Sequence, residues 1–214
     1  MTVVSNLQGA LRSLAVLGDG GATVDFATAC MDVHRSVQRT FDTLWNEHDV
    51  VVSLKIVDSE KPDHLKCIYL PEGLSNRRMS LLGNGAPEYI PIAGSVSGDA
   101  FLKKEPQFVG NVSVEMDRLA GELQDYVSKN ISCIVAWPLF MNRQPIGVLK
   151  VDSPTVNLFT VDDGLFVKIM QLASTQFELA ATLFSHLRPD LASDPAEKKT
   201  PSKSKRAAKS ATKR

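Results

Sequence analysis

Apolar and polar residues follow two periods along this chain, and the changes of period mark its elements. Ile131, Cys133, Val135, Trp137, Leu139 and Met141 fall on one face at period two, and Ser132, Ile134, Ala136, Pro138 and Phe140 on the other. That pattern predicts a strand. Ile146, Val148, Lys150 and Asp152 alternate with Gly147, Leu149 and Val151, so Asn142, Arg143 and Gln144 are expected to join two antiparallel strands. Val50, Val52, Leu54 and Ile56 alternate with Val51, Ser53, Lys55 and Val57. Leu65, Cys67 and Tyr69 alternate with Lys66, Ile68 and Leu70, with Ser59 to Asp63 as the connection between these two strands. Shorter strands are expected over Glu88 to Ile92 and Gln107 to Gly110.

Helical spacing takes over between these runs. Leu7, Leu11 and Leu14, extended by Val4 and Leu17, form a stripe that Gly18, Asp19, Gly20 and Gly21 terminate. A helix this short needs a partner surface for its leucines. Phe26, Cys30, Val33, Val37, Phe41 and Leu44 write a second helix from Val24 to Asn46. Ser97 or Asp99 can cap a short helix over Ala100 to Lys104 that Pro106 stops, and Leu119, Leu123, Tyr126 and Val127 give an inward face to Asp117 to Asn130. A last helix is expected to start at Thr160, with Asp163 three residues on, and to run to Pro189. At 1.5 Å per residue its roughly 28 residues span about 42 Å, more than one edge of a compact domain requires. The excess predicts packing against a second subunit.

Composition bounds the rest. The chain has 214 residues, 43% of them hydrophobic, which suits one core. The expected organisation is an N-terminal helix with a glycine-rich linker over 1–22, one domain over 23–188, and a tail over 189–214. No apolar run approaches the roughly 18 residues of a membrane span, and no signal-peptide pattern opens the chain, so a cytosolic, membrane-free protein is expected. Three widely spaced cysteines, Cys30, Cys67 and Cys133, predict buried thiols and not a disulfide framework. Residues 1–188 carry 16 Lys and Arg against 21 Asp and Glu, whereas 189–214 carry 8 against 3. An acidic body thus bears a basic tail, expected to be disordered, which could neutralise the phosphates of nucleic acid or meet an acidic partner.

Candidate chemistry is sparse. Cys30 and His34 stand at a metal-ligating spacing on one helix, but Cys30 lies within the apolar stripe and no second ligand pair accompanies it, so a packed thiol is expected. His64 and Cys67, three apart on a strand, point to opposite faces. Arg77 and Arg78 lie in a Gly-, Asn- and Pro-rich connection that could cover a pocket mouth. The run Gly94 to Gly98 precedes a helix whose N-terminal amides could face a ligand's acceptor atoms. No phosphate-binding glycine loop, Gly-x-Ser-x-Gly elbow or HExxH is present, and no enzyme activity is expected.

Taken in order, Gly94 to Gly98, Pro106 to Val112, Ser132 to Leu139, Ile146 to Asp152 and Phe159 to Asp163 resemble the GAF domain family of small-molecule-binding and signalling modules. The resemblance covers Val24 to His186. It implies an α+β, GAF-like (PAS-like) fold: a central antiparallel sheet of about six strands, helices on both faces, a pocket under loops and short helices on one side and the terminal helices packed on the other. It also implies ligand contacts near Ser97, Gly98, Phe101, Asn111, Cys133 and Trp137, a homodimer built on the first and last helices, and output through a partner protein. Members bind cyclic nucleotides, amino acids, tetrapyrroles, haem or other small molecules, or bind nothing and serve as dimerisation modules. Here Phe159 and Asp163 match part of a cyclic-nucleotide signature, but Gly164 replaces its glutamate and no Asn-Lys pair precedes them. No Cys-His pair suits bilin attachment, and Cys133 follows Ser128 to Ser132 without the acid or histidine expected of a free methionine sulfoxide reductase. The sequence names no cofactor.

Overall fold

The computed structural model describes residues 26–57, 61–68, 87–119 and 121–187. The expected helix over Ser5 to Leu17, the Arg77–Arg78 connection and the basic tail lie outside the described residues. In chain order the elements are helix α1 (Phe26–Leu44), strands β1 (Val51–Val57), β2 (His64–Ile68) and β3 (Tyr89–Pro91), helix α2 (Val96–Lys103), strand β4 (Gln107–Val109), helix α3 (Gly121–Asn130), strands β5 (Cys133–Met141) and β6 (Gln144–Ser153), and helix α4 (Gly164–Leu187). Short 3₁₀ turns cover Asn46–His48 and Met116–Arg118.

The six strands form one sheet in the order β3-β2-β1-β6-β5-β4, and every pairing is antiparallel. The β5–β6 hairpin turns on two residues, Asn142 and Arg143, both at positive φ (51° and 66°). That conformation matches the right-handed twist of the flanking strands and needs no third residue. Gln144 therefore belongs to β6, paired with Met141, and not to the turn.

Strand alternation divides the interior in two. On one face Val52, Leu54, Val135, Leu149 and Val151 pack against Val33, Val37 and Phe41 of α1 and Phe166, Met170 and Phe177 of α4. Four rings close the end of this layer. Phe159 stacks on Phe166 with centroids 4.3 Å apart, Phe41 stacks on Trp45 at 5.0 Å, and Trp45 meets Phe159 edge-on at 5.4 Å. On the other face Leu65, Ile134 and Val148 pack against Val96 and Ala100 of α2 and Val127 of α3.

Local signals set the helix starts. Asp163 Oδ1 accepts from the backbone N–H groups of Leu165 (3.1 Å) and Phe166 (3.0 Å), so Asp163 is the N-cap of α4, and Thr160 stays in the preceding turn. The helix has 24 residues, or about 36 Å. Ser95, not Ser97 or Asp99, caps α2, its Oγ accepting from Gly98 N–H at 2.9 Å, and the helix begins four residues before Ala100. Among the described residues no helix is long and apolar enough to cross a membrane.

Two polar side chains pin α1 to the start of β1. Gln38 donates through Nε2 to the Val50 carbonyl (3.1 Å) and accepts at Oε1 from Val52 N–H (2.8 Å). His34 reaches the Val52 carbonyl with Nε2 at 2.9 Å. A carbonyl only accepts, so Nε2 carries the proton, and the buried Nδ1 has no partner among the described residues. Burial, opposed by the bond to Val52 and assisted by the charges of Arg35 and Lys55, holds the imidazole down to a pKa of about 4. An unfolded chain takes up this proton near pH 6.5, so folded stability falls as pH drops from 6.5 and levels off below about 4. The full displacement corresponds to about 3 kcal/mol. In urea unfolding, wild type is expected to lose about 2–3 kcal/mol more between pH 7 and pH 4.5 than His34→Gln, which keeps the donor to Val52 without the titration; equal losses would exclude a neutral His34.

Candidate functional site

Between the sheet and the short helices lies a cavity offering about 40 Å³ to the centres of water-sized molecules. Its floor is Lys55 of β1, Lys150 of β6 and Ile134 of β5, its roof Ser95, Val96 and Ser97 at the start of α2, and its walls Pro87, Ile90, Leu119 and Val127. The roof is set by the Ser95 cap. With Gly98 N–H held by Ser95 Oγ and Asp99 N–H by the Ser95 carbonyl, Val96 and Ser97 are the first-turn residues whose amides have no intrahelical acceptor. That end of the helix carries the positive end of its dipole.

The sheet delivers the two lysines. Lys55 pairs with Cys67 of β2, and Ser53 pairs with Lys150, so the ammonium-bearing chains are diagonal neighbours on one face. Lys55 is 2% exposed. Its Nζ lies 3.3 Å from Cys67 Sγ and 3.4 Å from Ser53 Oγ. Lys150 Nζ donates to Asp152 Oδ2 at 2.7 Å, whereas Asp152 Oδ1 is buried without a hydrogen-bond partner among the described residues. Burial pushes the Lys55 ammonium below the usual lysine range; Cys67 and Asp152 oppose this and the charge of Lys150 adds to it.

The six residues expected around a ligand do not converge. Ser97 lines the cavity. Gly98 sits in the same turn against the backbone of Ile92, where an added Cβ would lie 1.7 Å from the Ile92 carbonyl oxygen; its role is to let α2 approach the sheet. Phe101 packs partly buried into the core on this side. Asn111 folds onto its own turn, Oδ1 accepting from Ser113 N–H (3.1 Å) and Ser113 Oγ (2.6 Å). Cys133 and Trp137 belong to the opposite face, in the layer under α1 and α4, because alternation along β5 turns Ile134, not its neighbours, to the cavity. Cys133 is fully buried and burial pushes its thiol up; a buried, protonated thiol is a poor nucleophile. Cys30 is likewise pushed up to about 12 by burial.

The alternation over Val50 to Val57 and Ile146 to Asp152 already placed a lysine inside each strand. A charge within an otherwise apolar strand pattern was the signal for Lys55 and Lys150.

Comparison with solved structures places this geometry among known folds. A GAF domain structure aligns at 17% identity over 81% of this chain and 88% of that one, with a TM-score of 0.55. The GAF domain of an Acinetobacter phosphoenolpyruvate-protein phosphotransferase aligns at 13% identity over 89% and 98%, with a TM-score of 0.54. The free methionine-R-sulfoxide reductase of Neisseria meningitidis, solved with its substrate, aligns at 20% identity over 85% and 93%, with a TM-score of 0.53. No protein-family model matches the sequence, and no curated protein matches it.

Burial holds the Lys55 ammonium below the ordinary lysine range, so its charged form is less favoured in the folded chain than in the unfolded one. Lys55→Met is therefore expected to raise the unfolding free energy by about 1–3 kcal/mol at pH 7. The gain shrinks as pH rises towards the ordinary lysine value of 10.5, where the unfolded chain also loses this proton. Guanidinium unfolding of both forms checks this; a loss of stability would show that Lys55 serves the fold.

Proposed function

We propose that this chain, whose fold is GAF-like, works as a regulatory module that takes a small molecule into the cavity beneath α2 and passes the occupancy to a second copy or a partner protein through α4. The observation that carries the reading is the cavity, where the buried Lys55, the partly buried Lys150 and the first turn of a helix converge on one space. Small-molecule sites combine apolar walls with a few fixed polar groups in this manner. The reading is non-catalytic: the thiol at Cys133 faces away from the cavity.

The outer side of α4 supports the output half. Leu165, Leu172 and Leu179 are 55%, 44% and 41% exposed and recur every seven residues. An exposed leucine seam at heptad spacing is a pattern by which helices pair.

A cavity ligand binds the folded form alone and so raises Tm with concentration. Thermal shift against a panel of small metabolites is expected to yield saturating stabilisers, and Ile134→Trp, which fills the cavity, is expected to abolish their effect. Retained shifts in that variant would move binding elsewhere. For the output half, Leu172→Glu is expected to halve the mass measured by light scattering; a wild-type monomer, or an unchanged dimer in the variant, would remove α4 from the interface.

A further inference from the structure

We propose that Cys67 is a redox modification site: hydrogen peroxide oxidises its thiol, and the Lys55 amine beside it closes the product into a covalent S–N bond between β2 and β1.

Strand pairing brings the two side chains together. Lys55 of β1 stands opposite Cys67 of β2. The Cys67 N–H donates to the Glu88 carbonyl at 2.7 Å, on the edge of β2 away from β1, and in an antiparallel ladder a residue turns both backbone groups to the same edge. Lys55 and Cys67 are therefore a non-hydrogen-bonded pair, the closer kind, with Cα atoms about 4.5 Å apart. Lys55 Nζ reaches Cys67 Sγ at 3.3 Å. Side-chain torsion alone can bring that contact to a bond.

The surroundings select this thiol from the three. Cys67 packs in the layer on the cavity side, and Lys55 lines the cavity itself. With about 40 Å³ open to water-sized molecules, the space admits about three waters, and hence a peroxide of similar size. Cys30 and Cys133 lie in the opposite layer, where Cys133 Sγ meets the Phe159 carbonyl at 4.0 Å and not an amine. Burial also lowers the Lys55 pKa, and the neutral amine, not the ammonium, is the nucleophile.

The chemistry balances with a single peroxide molecule. Cys67 passes its thiol proton to Lys55 Nζ, and the thiolate attacks one peroxide oxygen. An S–O bond forms, the O–O bond breaks, and the departing hydroxide leaves as water with the proton from Nζ. Sulfur has given an electron pair to the peroxide. Nζ, neutral again, attacks the sulfenic sulfur; the S–N bond forms, the S–O bond breaks, and this hydroxide leaves as water with a proton from nitrogen. Sulfenic acids condense with backbone nitrogen in the same way. The bond ties β1 to β2 and takes the Lys55 charge off the cavity floor. A dithiol restores the thiol and the amine and becomes a disulfide.

The test treats the full-length protein with hydrogen peroxide near neutral pH, digests it without reductant and reads the peptides by mass spectrometry. A peptide joining Lys55 to Cys67, about 2 Da lighter than its separate parts and opened by dithiothreitol, is expected from the folded protein and not from protein treated in urea. Lys55→Met cannot form it, and Lys55→Arg keeps a cation at the site without a free amine. In both variants the sulfenic acid stays open, and dimedone is expected to label Cys67 about tenfold more than in wild type. The arginine variant keeps the test sound should the methionine variant fail to fold. An unmodified Cys67 in the folded protein, or equal dimedone labelling in wild type and both variants, would overturn the proposal. So would a crosslink about 16 Da heavier than the expected one, which holds an oxygen between nitrogen and sulfur and has not arisen by condensation.

Discussion

Strand β6 is hydrogen-bonded on both edges, to β1 from Gly147 to Asp152 and to β5 along its whole length. A strand held on two sides cannot slip. A shift by one residue would carry Leu149 and Val151 out of the layer beneath α1 and α4, and would swing Lys150 and Asp152 into it. Both faces of this strand are covered, so the penalty is paired: apolar groups lose burial on one side while two charges enter a dry core on the other. The register thereby fixes the place of the cavity floor, since Lys150 can meet Lys55 only while Ser53 stands opposite Lys150.

Close backbone approach does the rest of the positioning. Gly147 lies where a Cβ would come within 2.3 Å of the Lys55 carbonyl oxygen, and Gly98 where one would nearly coincide with that of Ile92. The first brings β6 close beside the backbone of Lys55. The second lowers the start of α2 onto the turn that follows β3. The narrow gap between roof and floor depends on both glycines. Ser95 links the same two parts, donating to the Pro91 carbonyl at 2.6 Å while capping Gly98 N–H, so the helix start and the end of β3 move as one piece.

The strands were legible because alternation is a local property, and β1, β2, β5 and β6 lie where period two put them. Which face of a strand looks into a cavity is not local. In β5, Cys133, Val135 and Trp137 are as apolar as Ile134 and Ala136, and a sheet covered on both sides gives no polar stripe to tell them apart. Cys133 and Trp137 therefore look like their neighbours in the sequence and stand on the face away from the cavity, whereas Ser97 lines it from the start of α2. Capping failed by a short distance: Ser95, Ser97 and Asp99 are all competent caps, and only the packing of Gly98 on Ile92 selects Ser95. At α4 the carboxylate of Asp163 takes two amides, which Thr160 is too far away to reach. Lys55 and Lys150 were visible as charges within strand patterns, but their meeting is a consequence of β1–β6 register, which no single strand records.

The division of the interior also constrains how a bound molecule could act on α4. The cavity belongs to one core and α4 to the other, and the sheet stands between them. A ligand can shift an equilibrium only by interacting differently with its two states, and here the difference must cross β5 and β6. Those strands alternate residue by residue: Lys150 faces the cavity while Leu149 and Val151 face the helices, and Ile134 faces the cavity while Cys133 and Val135 face the helices. A movement of backbone at Lys150 is therefore also a movement at the residues on which α4 packs. Interiors packed at this density do not absorb such shifts locally. Any such coupling would cross one peptide unit at each point, through the strand that is paired on both edges.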